Sequence, residues 1–117
     1  MCQEIRENFK KVFDNGEKGL RDTENSEAIR PNQLFAISLT YPVINDSKMV
    51  LNILNIVESK LVNRYGIKTL AKGEKGYIEK YFGNEKRRDG SYHQGISWPW
   101  LLGLYYNGLK FAEKLRV

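Results

Sequence analysis

Cysteine and histidine are almost absent from this sequence, since Cys2 and His93 are the only examples among 117 residues. A single cysteine cannot close an internal disulfide, and one histidine together with one cysteine elsewhere in the chain cannot supply the ligand cluster of a zinc site. We therefore expect neither a disulfide framework nor a bound metal. The sequence also has no phosphate-binding glycine loop and no dinucleotide fingerprint, so no cofactor is predicted.

Long apolar runs are missing as well. No stretch approaches the ~20 apolar residues of a membrane-spanning helix, and the N-terminus has no apolar signal-peptide core. We expect a cytoplasmic protein without membrane contact. A length of 117 residues suits a single domain, and 41% hydrophobic content with seven Tyr favours a folded chain over a disordered one.

The charge balance is basic, with a net charge of +5 and a pI near 9.3, so nucleic-acid binding has to be considered. Much of the excess lies in residues 68–88, where basic residues alternate with acids and glycines without a helical register. No nucleic-acid-binding motif accompanies them. A solvated loop is the preferred interpretation, and no nucleic-acid partner is predicted.

Apolar periodicity predicts an all-α fold of about four helices. The helices are expected at residues 3–14, 31–39, 46–64 and 98–115. Pro31 and Pro99 suit first helical positions, and Gly66 suits the position after a helix end. Residues 67–95 are glycine-rich and aperiodic, which predicts one long loop. No strand pair is expected.

Residues 92–100 contain the single histidine and both tryptophans. A tyrosine, an imidazole, a side-chain amide and two indoles can hold a sugar, because aromatic faces cover its C–H faces while polar groups bind its hydroxyls. The alternative is an aromatic helix start packed in a core, and the residue types alone leave both open. A Ser-His-Asp triad built on Asp89 is disfavoured, because close neighbours in sequence seldom converge as a triad requires.

Two other polar groups have plain structural alternatives. Asp89 could bind a sugar hydroxyl, but Asp-Gly at 89–90 is a turn signal and the turn is preferred. Arg30, Asn32 and Gln33 could line a polar site at a helix start, but composition alone favours a helix cap.

Two segments in order carry a resemblance to a known family. Residues 29–39 (IRPNQLFAISL) and residues 92–103 (YHQGISWPWLLG) resemble consecutive stretches of the C-terminal amylo-α-1,6-glucosidase domain of glycogen debranching enzymes. Residues 13–22, 64–70 and 76–77 fit the same domain in order and spacing. The resemblance therefore runs through nearly the whole chain.

The resemblance implies an (α/α)6 toroid of six helical hairpins, of which residues 1–117 are a partial domain of about two. It also implies removal of a single glucose from an α-1,6 branch with inversion. Inversion requires two carboxyl groups ~6.5–9.5 Å apart. In the family the acid precedes, and the base follows, the stretches that this chain resembles. We therefore expect a fragment that lacks the catalytic Asp and Glu and is inactive alone.

By position, the resemblance implies eight sugar-contact residues: Arg30, Asn32, Gln33, Tyr92, His93, Gln94, Trp98 and Trp100. The implied partner is an α-glucan of the glycogen type. Tyr92 and Trp98 are expected as walls and His93 and Gln94 as hydroxyl-binding groups. Arg30 and Asn32 are expected to hold the loop or the sugar.

A partial ring exposes apolar surface, so a homo-oligomer or association with the rest of the domain is expected. Two alternatives stay open beside the fragment: a non-catalytic α-glucan-binding module, and a nucleic-acid binder that uses residues 68–88.

Overall fold

The computed structural model describes residues 2–80 and 83–116. Within them lie five α-helices, two short 3-10 helices and one three-stranded antiparallel sheet. The α-helices are α1 (Gln3–Phe13), α2 (Phe35–Ser38), α3 (Ser47–Lys60), α4 (Glu85–Ser91) and α5 (Leu101–Leu115), the 3-10 helices are Gly16–Lys18 and Pro31–Leu34, and the strands are β1 (Val62–Asn63), β2 (Gly66–Lys68) and β3 (Ser97–Trp98). The prediction of a helix-rich chain is confirmed.

Helix α3 is the centre of the core. Its N-terminus is capped by Asp46, whose side chain accepts a hydrogen bond of 3.0 Å from the Met49 amide. Its inward face is a buried apolar stripe with helical spacing, formed by Val50, Ile53, Leu54 and Val57. Burying each such side chain contributes about 1.5–3 kcal/mol, so this face accounts for much of the stability of the fold.

Helices α2 and α5 pack together and α5 also packs on α3. Gly108 of α5 permits the approach, because a Cβ there would lie 2.9 Å from Ile37 Cδ1 and 3.2 Å from Leu54 Cδ2. The predicted helix 31–39 is observed as the 3-10 turn followed by α2, with Pro31 in its first turn. This packing fixes the start of α2, which borders the site described below.

The small sheet corrects the all-α prediction. Helix α3 ends at Lys60 rather than residue 64, and β1 and β2 form a hairpin that pairs Val62 with Ile67. The turn is closed by Asn63, whose side-chain oxygen accepts a hydrogen bond of 2.8 Å from the Tyr65 amide. Gly66 therefore lies in β2 instead of ending the helix. Strands of two or three residues carry no alternation pattern, which is why periodicity missed them.

Gly66 also explains how the third strand joins. Its φ is +140°, and a Cβ there would lie 2.5 Å from the carbonyl oxygen of Trp98. Strand β3 pairs Ser97 with Lys68 and Trp98 with Ile67. Because these residues are in a strand, α5 begins at Leu101 instead of residue 98.

The predicted loop 67–95 is also partly wrong, since β2 and α4 lie within it. Helix α4 begins at a cap that the prediction overlooked: the Asn84 side chain accepts a hydrogen bond of 3.0 Å from the Arg87 amide. Residues 81–82 of the predicted loop lie outside the described residues.

Apolar side chains remain exposed at the periphery. Ile5 and Val12 of α1 face solvent, as does a stripe on α5 that contains Leu102, Tyr106 and Leu109. No helix among the described residues has the length and apolarity needed to cross a membrane.

Candidate functional site

An open cleft of about 670 Å³ lies between the start of α2 and the segment that leads into α5. This volume is in the range of ~300–1,000 Å³ that is usual for small-ligand sites. The residues that line it come from four separate parts of the chain and are polar or aromatic except for Pro31 and Leu101: Asp22, Arg30, Pro31, Asn32, Phe35, Thr69, Tyr92, His93, Trp98, Trp100 and Leu101.

The cleft brings together the two segments that carry the family resemblance. Arg30 and Asn32 come from the first, and the other predicted site residues on the cleft come from the second, namely Tyr92, His93, Trp98 and Trp100. The remaining two of the eight, Gln33 and Gln94, are not among the described residues that line it. Their contacts give them a different place.

The aromatic side of the cleft is formed by the segment before α5. The rings of Tyr92 and Trp98 are tilted at 38° with their centroids 4.9 Å apart, and Trp98 Nε1–H donates a hydrogen bond of 3.2 Å to the Tyr92 carbonyl. The side chain of Trp100 is 63% exposed and Phe35 is 41% exposed on the opposite segment. Exposed aromatic rings at the edge of a cleft can stack on the apolar face of a ligand ring.

The polar side of the cleft is organised by Arg30. Its Nη1 donates to the carbonyl of Thr69 at 3.2 Å and to the carbonyl of His93. Its Nη2 donates to Gln94 Oε1 at 2.8 Å, and its Nε lies 3.5 Å from a carboxylate oxygen of Asp22. Gln94 is therefore a partner of Arg30 and is not among the described residues that line the cleft.

Asp22 is a cleft residue that the sequence reasoning missed. Its Oδ1 accepts a hydrogen bond of 2.9 Å from Asn32 Nδ2, while Oδ2 faces Arg30. It lies in a polar connection between α1 and α2 where no periodicity marks it. Two signals were available: Asp22 lies close to the Arg30 segment in sequence, and it ends residues 13–22, which also carry the family resemblance.

Gln33 supports the start of α2 from inside. It is only 6% exposed, its Oε1 accepts a hydrogen bond of 3.0 Å from the Leu20 amide, and its Nε2 donates to the Arg30 carbonyl at 3.1 Å. Gly19, with φ +80°, permits this, because a Cβ there would lie 2.1 Å from Gln33 Oε1. Gln33 therefore joins the connection before α2 to the backbone of Arg30.

Residues 92–94 form a wall of the cleft, and Thr69 holds the chain at the base of this wall, residues 95–96. Its Oγ1 accepts a hydrogen bond of 2.9 Å from the Gly95 amide, and its own amide donates to the Ile96 carbonyl at 3.0 Å. Farther out, the Ile78 amide donates to the Gln94 carbonyl. Gly95 has φ +137°, and a Cβ there would meet the Tyr77 ring at 2.6 Å, so only glycine fits this turn.

The cleft combines exposed aromatic faces with hydrogen-bonding groups and little net charge, a combination that suits a neutral, hydroxyl-rich ligand. Asp22 is the only carboxylate among the described residues that line the cleft, and Arg30 balances its charge. In the described part of the chain, no three histidine, cysteine or carboxylate side chains come close enough to hold a metal ion. Inverting glycoside hydrolysis needs a second carboxyl group across the sugar.

Comparison with known proteins gives one result. The model of a family described as amylo-alpha-1,6-glucosidase matches residues 1–116. No curated protein and no solved structure matches the chain significantly.

Proposed function

The chain belongs to the amylo-alpha-1,6-glucosidase family, and on this premise we propose that it is part of a glycogen debranching-type glucosidase domain whose cleft binds a glucose unit of an α-glucan. Residues 1–117 form a partial domain, about two helical hairpins of an (α/α)6 toroid. A cytoplasmic location follows from a glycogen-type substrate. The observation that carries the proposal is the meeting, in one cleft, of two segments that lie about 60 residues apart.

The roles of the cleft residues follow from their chemistry. Tyr92, Trp98 and Trp100 supply aromatic faces for the C–H faces of the sugar. His93 and Asn32 bind hydroxyl groups. Asp22, whose carboxylate offers several lone pairs beyond those used by Asn32, accepts from a further hydroxyl.

Gln33 and Gln94 act in this proposal as supports behind the cleft. Both side-chain oxygens accept hydrogen bonds from protein groups, the Leu20 amide for Gln33 and the Arg30 guanidinium for Gln94. A substitution at either position should therefore weaken binding through the shape of the cleft.

Hydrolysis is assigned to carboxylates other than those in this cleft. Asp22 lines the cleft and is paired with Arg30, which suits binding better than proton transfer. The chain by itself should release no glucose from an α-1,6-branched oligosaccharide. Release of glucose that Asp22→Asn abolishes would contradict this assignment.

The second candidate is a non-catalytic α-glucan-binding module. It is favoured by the single carboxylate among the described residues that line the cleft, Asp22, which is paired with Arg30. A mixing experiment separates the two candidates. Restored debranching activity on adding the other segments of such a domain supports the fragment, and binding without any such restoration supports the module.

The direct test of the proposed function is titration of the purified chain with maltooligosaccharide, followed by tryptophan fluorescence. We expect saturable quenching, with affinity reduced about tenfold or more in Trp100→Ala and His93→Ala, because each loses a direct ligand contact. Tyr41→Ala is the matched control, since Tyr41 is an exposed aromatic residue that is not on the cleft. Absence of quenching in a chain that is helical by circular dichroism would contradict binding by the chain alone.

Association through the exposed apolar stripe of α5 remains a prediction. Leu102, Tyr106 and Leu109 lie on one exposed side of the helix, and burying them in a homo-oligomer or against the rest of the domain would remove apolar area from water. Light scattering at micromolar concentration should give a mass above that of one chain. A monodisperse monomer would contradict self-association.

A further inference from the structure

We propose that Arg30 is a positioning residue of the cleft: it holds the cleft wall, residues 92–94, against the start of α2 and does not itself bind the ligand. The effect on ligand affinity rests on the proposed function. The effect on the order of the wall does not, because it concerns the protein without ligand.

The hydrogen-bond donors of Arg30 are already engaged by the protein. A guanidinium has five N–H groups in a fixed planar fork. Two on Nη1 are donated to the carbonyls of Thr69 and His93, and one on Nη2 is donated to Gln94 Oε1. The Nε–H faces the carboxylate of Asp22. Little donor capacity is left for a sugar hydroxyl.

The acceptors lie far from Arg30 in the sequence. The hydrogen bonds to Thr69, His93 and Gln94 span 39, 63 and 64 residues, respectively. Two of the three are backbone carbonyls, so what they fix is the position of the chain. The Arg30 side chain is 22% exposed, and its hydrogen bonds to Thr69 and Gln94 are partly buried, which strengthens these two charge-assisted contacts.

Two of the attachments that hold the wall have different roles. At its base, the Thr69 hydroxyl and amide bond Gly95 and Ile96, and these two hydrogen bonds do not include the Thr69 carbonyl to which Arg30 donates. Within residues 92–94, Arg30 donates to the His93 carbonyl and to the Gln94 side chain. The Gln94 carbonyl in turn accepts a hydrogen bond from the Ile78 amide. Loss of Arg30 should therefore loosen residues 92–94 while the base remains attached.

The test is amide hydrogen exchange of the ligand-free chain, comparing wild type with Arg30→Met and Arg30→Lys. We expect exchange at Ile78 and Gln94 to become about tenfold faster in both variants, which is the size expected for a lost charge-assisted hydrogen bond. Exchange at Thr69 and at Leu61 in the core should be unchanged. Lysine should not restore protection, because a point charge cannot reach several acceptors at once.

Arg21→Met is the matched control, since the Arg21 side chain pairs with Glu27 at 3.3 Å on the surface. It should leave all four amides unchanged. If Arg30→Met does not fold, Gln94→Ala removes one acceptor and keeps the guanidinium, and it should accelerate exchange at Ile78 by a smaller factor.

Three results would overturn the inference. The Ile78 and Gln94 amides could exchange in Arg30→Met as slowly as in wild type, or could be fully protected in Arg30→Lys. Alternatively, the Leu61 amide could be accelerated in Arg30→Met as much as these two. Ligand affinity is measured separately, by titrating maltooligosaccharide into the same proteins. If wild type does not bind, the proposed function fails while the exchange result still decides the role of Arg30. If Arg30→Met binds with wild-type affinity despite faster exchange, the positioning role in binding is wrong.

Discussion

The helical core and the cleft of this protein are held by different forces. In the core, Val50, Ile53 and Val57 of α3 are fully buried among apolar neighbours. In the cleft, aromatic rings stay exposed and the backbone is held by hydrogen bonds to Arg30 and Thr69. Burial of apolar area therefore provides stability at one place, while directed polar contacts provide shape at the other.

The largest difference should appear when an apolar residue is truncated in each region. Ile53→Ala leaves a cavity at a site with 0% exposure and should lower the free energy of unfolding by about 2–5 kcal/mol. Trp100→Ala removes a larger but exposed side chain and should change it by about 0.5 kcal/mol. Urea unfolding followed by circular dichroism measures both. Equal losses would mean that the cleft is as much a part of the core as α3.

A second comparison concerns the stability lost when either of two glycines with positive φ is replaced by alanine. Gly66, at φ +140°, lies against the Trp98 backbone, whereas Gly73, at φ +96°, has open space where a Cβ would be. Both alanine substitutions strain the backbone, but only Gly66→Ala also separates β2 from β3. We expect Gly66→Ala to lose about 1–3 kcal/mol more than Gly73→Ala in thermal unfolding. A smaller loss at Gly66 would argue against the close strand contact.

A third comparison uses the two glycines of α5. Gly103→Ala should stabilise the protein by about 0.5–1 kcal/mol, because alanine is a better helix former and nothing lies within 4 Å of its Cβ. Gly108→Ala makes the same gain but places a Cβ 2.9 Å from Ile37, so it should be neutral or destabilising. Melting temperatures of the two variants measure the difference. Equal stabilisation would show that α2 and α5 are not so closely packed.

The smallest expected effect concerns pH. Burial, with the Glu58 carboxylate nearby, raises the pKa of Tyr105 above its ordinary value of 10.0. The folded chain thus holds this proton more tightly than the unfolded chain, so the contribution to stability is present below pH 10 and is lost as pH rises through the folded pKa. The free energy of unfolding should fall more steeply above pH 10 in wild type than in Tyr105→Phe. If the free energy of unfolding falls equally with pH in wild type and in Tyr105→Phe, Tyr105 is as solvated in the folded chain as in the unfolded chain.

The same contrast explains how far the sequence could predict the structure. The helix at α3 follows from local signals, namely apolar spacing and a run of possible capping residues at 45–47, of which Asp46 is the cap. The hairpin at β1 and β2 does not, because its turn depends on the Asn63 side chain and its strands are too short for a pattern.

The site divides in the same way. Resemblance identified six residues that line the cleft, but it also included Gln33 and Gln94, whose side chains contact protein groups behind it. Asp22 was missed because its place depends on hydrogen bonding to Asn32 and pairing with Arg30 in the folded chain. Side-chain direction is set by tertiary contacts, which sequence spacing does not encode.

The most direct test of sugar binding at this cleft is nuclear magnetic resonance of the two tryptophan indole N–H groups during titration with maltooligosaccharide. The chain has only two tryptophans, and both line the cleft. We predict that both indole signals shift saturably with one dissociation constant, with Trp98 reporting on the wall and Trp100 on the open edge. Unchanged indole signals at saturating sugar, in a folded sample, would contradict the account.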